Sequence, residues 1–194
     1  MRTELLTDTF FDSLERSAVD LSEAVTLPPA CYTSAEFYAF EKEALYAREW
    51  LCAGRETQVP NPGDFFTITI ADEPIIVVRN AAGELRAMSA VCQHRAMLVA
   101  EGSGNVRGFL CPYHHWSYSL NGDLIAAPAM NRTCDFDRGA FGLPGFAVEL
   151  WHGFIFVNLD RAAAPLAPRL AHVSAAIANY DLASAEGPAR DPAA

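Results

Sequence analysis

The stretch that decides the fold is CQHRAMLVAEGSGNVRGFLCPYHHWSYSLNGDL, residues 92–124. It contains two short units, C-Q-H at 92–94 and C-P-Y-H at 111–114, separated by sixteen residues. Each unit offers one thiolate and one imidazole, and both groups are common metal ligands. A short run of β-forming residues precedes each unit, so we expect the two units to lie in neighbouring loops. The pattern therefore predicts a single metal centre held from two sides.

Three interpretations of these four ligand-type residues are open. A structural zinc site would hold two thiolates and two imidazoles in a closed tetrahedron, but it usually pairs like ligands at spacings of about two to four residues. Here each unit has cysteine followed by histidine. A Rieske [2Fe-2S] centre instead binds one iron through two thiolates and the other through two imidazoles. The third interpretation is a chance cluster of core residues without a metal.

The quoted stretch closely resembles the Rieske domain of ring-hydroxylating oxygenase α-subunits, whose pattern reads roughly C-x-H-R-G and C-P-Y-H-G-W-x-Y. The likeness extends to YAREWL (46–51), NPGDFFTITI (61–70) and WHGFIFVN (151–158), so it covers roughly residues 30–160. This resemblance implies a mainly β fold, a Rieske-type antiparallel β-sandwich with cluster-binding hairpin loops. It also implies a Rieske [2Fe-2S] cluster as the cofactor.

The resemblance further implies a role for each ligand-type residue. Cys92 and Cys111 correspond to the ligands of the inner iron, and His94 and His114 to the ligands of the outer, reducible iron. Two neutral imidazoles in place of thiolates raise the reduction potential above that of an all-cysteine cluster. Tyr118 matches a position whose hydroxyl can reach a ligand sulfur.

Other positions in this stretch depart from related patterns. Respiratory-chain Rieske proteins raise their potential with a disulfide and a serine, and this chain has Met97, Tyr113 and Trp116 at those positions. We therefore expect a potential at the low end of the Rieske range. Ala96 and His115 stand where the oxygenase family usually has glycine. Alanine at 96 is acceptable if its backbone has a negative φ angle.

The remaining histidines and cysteines receive less specific expectations. We expect His115, His152 and His172 to face solvent. The five cysteines are odd in number and widely spread, and the start of the chain lacks the apolar core of an export signal, which argues against a disulfide framework. Cys31, Cys52 and Cys134 are expected to be small buried hydrophobes.

Composition narrows the class of protein. The 194 residues are 51% hydrophobic, which is too apolar for a disordered chain. Lys and Arg number 14 against 24 Asp and Glu, so the net charge of −10 disfavours nucleic acid as a partner. No stretch approaches the roughly 18–20 consecutive apolar residues that span a bilayer, so we expect no membrane association and a cytoplasmic location.

The pattern along the chain predicts three regions. Residues 1–33 form an N-terminal extension, 34–160 a helix plus the Rieske domain, and 161–194 an Ala/Pro-rich tail at the start of a missing catalytic domain. Thr33 and Glu36 have the spacing of a capping box, which predicts a helix from Ser34 to Glu49. A weaker helix is predicted over 170–180, and the last residues, 187–194, read as a loose tail. Strands are predicted at 65–70, 75–79, 85–90, 109–110, 116–120, 124–126, 148–151 and 154–158.

These observations lead to an expected function. An oxygen-activating mononuclear iron needs two histidines and a carboxylate. Beyond Asp160 the sequence has a single histidine, His172. We therefore expect one-electron transfer by an oxygenase α-subunit truncated before its mononuclear iron site, not competent for hydroxylation alone. Expected partners are a reductase or ferredoxin as electron donor, an oxygenase catalytic domain or neighbouring subunit as acceptor, and a second copy of the chain in a homo-oligomer. The alternatives are a free-standing Rieske-type ferredoxin and a redox-inert metal-binding interaction module.

Overall fold

The structure is a computed structural model that describes residues 5–182. It divides into two compact units, the described parts of Met1–Ala47 and Arg48–Ala194. The first unit is helical and the second mainly β. None of the helices in the described part of the chain has the length and apolar character that crossing a bilayer requires.

The first unit contains three α-helices, α1 (Asp8–Glu15), α2 (Ala30–Thr33) and α3 (Ala35–Glu41). A π-helical turn, Lys42–Tyr46, continues α3. The predicted helix over 34–49 is therefore present as an α-helix over Ala35–Glu41 and a π-helical turn that ends at Tyr46, before the predicted end. Its aromatic side chains pack with those of α1, including an edge contact between Phe10 and Phe37 at 5.5 Å.

The predicted capping box at the start of α3 is wrong. Ser34, with extended backbone, is the N-cap, and its hydroxyl accepts the N–H of Phe37 at 3.2 Å. Thr33 belongs to the preceding helix, where its hydroxyl donates to the carbonyl of Pro29. Glu36 does not close a box but accepts the N–H groups of Leu5 and Leu6. Thr33 and Ser34 both carry a hydroxyl that can cap a helix, so the sequence pattern placed the N-cap one position too early.

The described residues of the second unit form two antiparallel sheets. The seven-stranded sheet has the order β1-β10-β9-β4-β3-β2-β5, and the three-stranded sheet has the order β6-β7-β8. The strands are β1 (Leu51–Arg55), β2 (Asp64–Ile70), β3 (Glu73–Arg79), β4 (Leu85–Ser89), β5 (Ser103–Asn105), β6 (Phe109–Leu110), β7 (Ser117–Tyr118), β8 (Leu124–Ala126), β9 (Gly145–Trp151) and β10 (Phe154–Asn158).

Strand β3 shows why the large sheet has apolar material on both faces. Ile75, Ile76, Val77 and Val78 are all inaccessible to solvent. Alternation along the strand sends Ile76 and Val78 into one core and Ile75 and Val77 into another. The first core also contains the cysteines of the candidate site and the small sheet. The second core contains residues of β10, so the sheet supports two layers.

The segment 90–144, which carries the candidate site, leaves and rejoins the large sheet at adjacent strands. β4 and β9 pair through Ala87 with Phe146 and Met88 with Gly145. At the same place the N–H of Ser89 donates to the carbonyl of Pro144 at 2.8 Å. The small sheet β6–β8 lies within this segment, and only the short strand β5 returns to pair with β2.

The mainly β prediction is confirmed, and each of the eight predicted runs overlaps a strand. The strands β1 and β5 were not predicted. Ser-Gly-Asn in β5 has low β propensity and pairs only by position at the sheet edge. The helix predicted over 170–180 is displaced toward the N-terminus as α4 (Leu166–Arg169) and α5 (Ala171–Ala176). The tail predicted at 187–194 lies outside the described residues.

Candidate metal centre

The first ligand loop follows β4 and is closed by two backbone hydrogen bonds. The N–H of Cys92 donates to the carbonyl of Met97 at 2.8 Å, and the N–H of Ala96 donates to the carbonyl of Cys92 at 3.1 Å. An isolated bridge between Val91 and Leu98 closes the base. His94 therefore lies at the tip of a narrow loop whose two ends are tied together.

The second ligand loop, between β6 and β7, repeats this arrangement. The N–H of Cys111 donates to the carbonyl of Trp116 at 2.8 Å, and the N–H of His115 donates to the carbonyl of Cys111 at 3.0 Å. Hydrogen bonds thus join the same relative positions as in the first loop. The histidine is the second residue after the cysteine in one loop and the third in the other, as the C-x-H and C-x2-H spacings require.

The residue four positions after each cysteine has left-handed backbone. Its φ angle is 54° at Ala96 and 58° at His115. The condition under which alanine would be acceptable at position 96, a negative φ angle, is therefore not met. The tight return of the loop needs a positive φ, which is the conformation that glycine adopts without steric cost. Both departures from the family's glycine pattern fall on these two residues.

The two predicted cysteine ligands share one buried core, and the two predicted histidine ligands are half-buried and contact each other. Cys92 is 2% exposed and Cys111 1%, and both belong to the same core. The rings of His94 and His114 have centroids 4.7 Å apart and planes at 77°. The Nδ1 atoms of both rings are buried and have no hydrogen-bond partner among residues 5–182. A buried nitrogen without a partner costs free energy, so these two atoms are available to bind a metal.

The donor set fits a two-iron cluster better than a single ion. Within the described residues, no three His, Cys, Asp or Glu side chains are grouped so that they could hold one metal ion. A tetrahedral zinc site needs all four donors around one centre. A Rieske cluster needs only two protein ligands on each iron, because the sulfides supply the rest. The residues present therefore fit the diiron group.

Electrostatics keep His94 in its metal-binding form. Burial lowers the pKa of His94, and the positive charges of His114 and Arg95 lower it further. Only a neutral imidazole can coordinate a metal, so a lowered pKa favours coordination.

Tyr118 lies behind the first cysteine. Its side chain is fully buried, and its hydroxyl accepts the N–H of Gln93 at 3.1 Å and lies 3.3 Å from Cys92 Sγ. Burial raises the pKa of Tyr118, and the hydrogen bond with Cys92 raises it further. The hydroxyl therefore keeps its proton and can donate it in a hydrogen bond to a thiolate. Tyr118 thus reaches the sulfur of Cys92, the cysteine that the resemblance implies as a ligand.

Trp116 lies beside His94, which the sequence pattern did not indicate. The two rings are stacked with centroids 4.7 Å apart and planes within 11° of parallel. Trp116 is 1% exposed. No sequence spacing relates Trp116 in the second loop to His94 in the first loop. The contact is visible only in the folded structure.

Exposed side chains surround the two imidazoles. Tyr113 is exposed, and its ring centroid lies 4.3 Å from that of His114. The guanidinium of Arg95 lies 6.0 Å from the Tyr113 ring centroid. Met97 and His115 are also exposed. The ligand loops therefore present a mixed apolar and cationic surface.

Side chains outside the site test the less specific expectations. His115, His152 and His172 are exposed, as predicted. The prediction of buried free thiols is wrong, because Cys52 and Cys134 are exposed and Cys31 is half-buried. Leu51 and Ala53 of β1 pack against the second core, so alternation along the strand turns Cys52 to the opposite face.

Comparisons with known proteins agree with this geometry. Residues 49–147 match the Rieske [2Fe-2S] domain family. The oxygenase subunit of carnitine monooxygenase from Acinetobacter baumannii is 34% identical over 141 residues, 72% of this chain and 38% of that protein. The oxygenase subunit of glycine betaine monooxygenase from Chromohalobacter salexigens is 34% identical over 192 residues, 90% of this chain and 43% of that protein.

A solved structure shows the same fold. The apo form of a quaternary ammonium Rieske monooxygenase superposes with a TM-score of 0.75 at 31% identity, covering 79% of this chain and 45% of that one. The chain thus spans less than half the length of the relatives it matches. Residues 49–147, which match the family, contain both ligand loops and most of the large sheet. The chain belongs to the Rieske [2Fe-2S] domain family, and its relatives are oxygenase subunits.

Proposed function

We propose that Cys92, Cys111, His94 and His114 bind a Rieske [2Fe-2S] cluster and that the chain transfers single electrons through it. The observation that carries the proposal is the pair of buried Nδ1 atoms, on His94 and His114, that lack a hydrogen-bond partner among the described residues. Two buried thiols in the same core complete the donor set. When bound, the cluster supplies reversible uptake of one electron.

Each residue has a distinct task in this proposal. Cys92 and Cys111 hold the inner iron as thiolates in the apolar core. His94 and His114 hold the outer iron through Nδ1, which leaves the other ring nitrogen of each available for contact with a partner. Tyr118 donates a hydrogen bond to the sulfur of Cys92, which withdraws negative charge from that ligand.

We further propose that the chain works as the electron-transfer part of an oxygenase α-subunit. The identity to oxygenase subunits over 72–90% of this chain supports this reading. The electron donor is a reductase or ferredoxin. The acceptor is a mononuclear iron on an oxygenase catalytic domain or a neighbouring subunit.

The test is the metal content and spectrum of the purified protein. We expect a red-brown preparation with iron and acid-labile sulfide in equal amounts, and a mixed-valence electron paramagnetic resonance (EPR) signal after anaerobic reduction with dithionite. A colourless, zinc-loaded preparation, or a reduced sample without that signal, would overturn the proposal. Cys111→Ser serves as the matched negative control, because it should remove the cluster.

A second measurement separates the oxygenase subunit from a free-standing ferredoxin. The reduced chain is mixed with an intact oxygenase that lacks its own electron donor, and product formation is followed. A free-standing carrier supports turnover, whereas the electron-transfer part of an α-subunit does not. Turnover at the rate of the natural donor would replace our assignment with the ferredoxin alternative.

A further inference from the structure

The two imidazoles of the candidate site have different surroundings. His94 is stacked on the indole of Trp116, with planes 11° apart, whereas the ring of His114 is nearly perpendicular to that of His94. The aromatic neighbour of His114 is Tyr113, which is exposed and tilted by 57°. A buried, parallel aromatic wall therefore supports only one of the two rings.

Trp116 is itself held in place from behind. Phe136 and Phe141 contact its indole edge to face, with centroids 5.7 Å and 5.8 Å away. These two phenylalanines also stack on each other at 5.1 Å. Aromatic pairs at such distances add attraction beyond the burial of their surface. A close-packed core side chain resists rotation, so the plane of the indole is fixed.

A fixed indole face affects a metal-bound imidazole in two ways. The face of an aromatic ring is electrostatically negative, so it attracts the imidazole more strongly when the metal centre carries more positive charge. The indole also keeps water from that side of His94, and water would stabilise the more negative, reduced state. Both effects favour the oxidised state, so both lower the reduction potential.

We propose that Trp116 is a positioning residue that fixes the ring plane of His94 and lowers the reduction potential of the centre. This inference rests on the proposed function, since it requires His94 to be a cluster ligand. It concerns a residue that makes no bond to the metal and acts through its contact with His94. It also assigns different roles to the two histidines, because His94 is held by a buried wall and His114 faces the exposed side.

The experiment compares three substitutions of Trp116 with a matched control. Trp116→Leu and Trp116→Met remove the aromatic face, and Trp116→Phe keeps a smaller one. Trp151→Leu is the control, because Trp151, the last residue of β9, also contacts a histidine, His152, at 4.7 Å, and neither residue belongs to a ligand loop. Iron and sulfide contents are measured first. The midpoint potential and the nitrogen couplings of the reduced cluster, from pulsed EPR, are then compared.

We expect Trp116→Leu to raise the midpoint potential and to change the coupling of one of the two ligand nitrogens. Trp116→Phe should shift both quantities less, and Trp151→Leu should leave both at the wild-type values. If Trp116→Leu does not retain the cluster, Trp116→Met decides in its place. A loaded non-aromatic variant with wild-type potential and couplings would overturn the inference, and so would an equal shift in Trp151→Leu.

These outcomes are distinguishable from failure of the proposed function. If the wild-type protein has no cluster signal, the proposed function itself is wrong. If the wild-type protein shows the signal and the non-aromatic variants match it, only the role of Trp116 is wrong.

Discussion

Ala96 and His115 occupy equivalent positions in the two ligand loops, each four residues after a cysteine whose carbonyl accepts its N–H, at 3.1 and 3.0 Å. Both have left-handed backbone. The two loops differ in the spacing of cysteine and histidine, but they close with the same geometry. The left-handed conformation costs an L-residue roughly 1–2 kcal/mol, so both loops carry local strain.

Glycine at either position should relieve this strain. We expect Ala96→Gly and His115→Gly each to raise the free energy of unfolding by about 0.5–1 kcal/mol, because the steric cost removed exceeds the backbone entropy that glycine adds. Denaturant unfolding of the cluster-loaded protein measures the effect. Ala81→Gly, in an exposed turn where φ is not positive, is the control and should not stabilise the protein. Destabilisation by both loop variants would contradict the prediction.

Adjacent histidines allow a sharp test of the ligand set. His114→Cys should retain a cluster with a lower midpoint potential, because a negative thiolate replaces a neutral imidazole. His115→Cys changes the neighbouring, exposed imidazole, which we do not assign as a ligand, and it should leave the potential close to the wild-type value. Redox titration of both loaded variants checks this. An unchanged potential in His114→Cys would remove His114 from the ligand set.

The hydroxyl of Tyr118 should tune the centre through Cys92. Tyr118→Phe removes the hydrogen bond to the sulfur and leaves the N–H of Gln93 without its acceptor. We expect a lower midpoint potential, because the ligand sulfur keeps more negative charge, with iron content close to wild type. Tyr113→Phe removes an exposed hydroxyl and is the control. Equal shifts in the two variants would argue against a specific effect of Tyr118.

The lowered pKa of His94 predicts a pH dependence for the cluster-free protein. Below the unfolded-state pKa, about 6.5, the unfolded chain binds a proton at His94 that the folded chain resists. Stability should therefore fall as the pH decreases from about 6.5 toward the lower folded-state pKa. Denaturant unfolding at a series of pH values measures this fall, and His94→Asn should reduce it. The same slope in wild type and variant would contradict the prediction.

The candidate site could largely be predicted from the sequence, because the ability to bind a metal depends on residue type. The spacing of Cys92, His94, Cys111 and His114 indicates two paired units whatever the fold; in the structure the two cysteines share a core and the two histidines contact each other. The strands were predictable for a similar reason. A run such as that at 75–78 consists of β-branched residues, and burial on both faces of a sheet requires that composition.

Other features depend on contacts that residue types do not encode. Trp116 stacks on His94 across two loops, and the type of neither residue indicates the presence of the other. The closing hydrogen bonds of the loop impose a positive φ angle at Ala96. Alanine does not favour that angle, so its residue type gives no sign of it. Cys52 was predicted to be buried from its residue type alone, but it lies on the face of β1 that points away from the core.

β4 and β9 pair where segment 90–144 leaves and rejoins the large sheet. Besides the pairing of β5 with β2, the backbone of the segment is tied to the sheet where the N–H of Ala90 donates to the carbonyl of Pro74 at 2.7 Å. Ile76 and Val78 of the sheet also share one core with both cysteines of the candidate site. Occupancy of that site should therefore be felt in the stability of the sheet as well as of the segment, so that metal loss would not stay a local event.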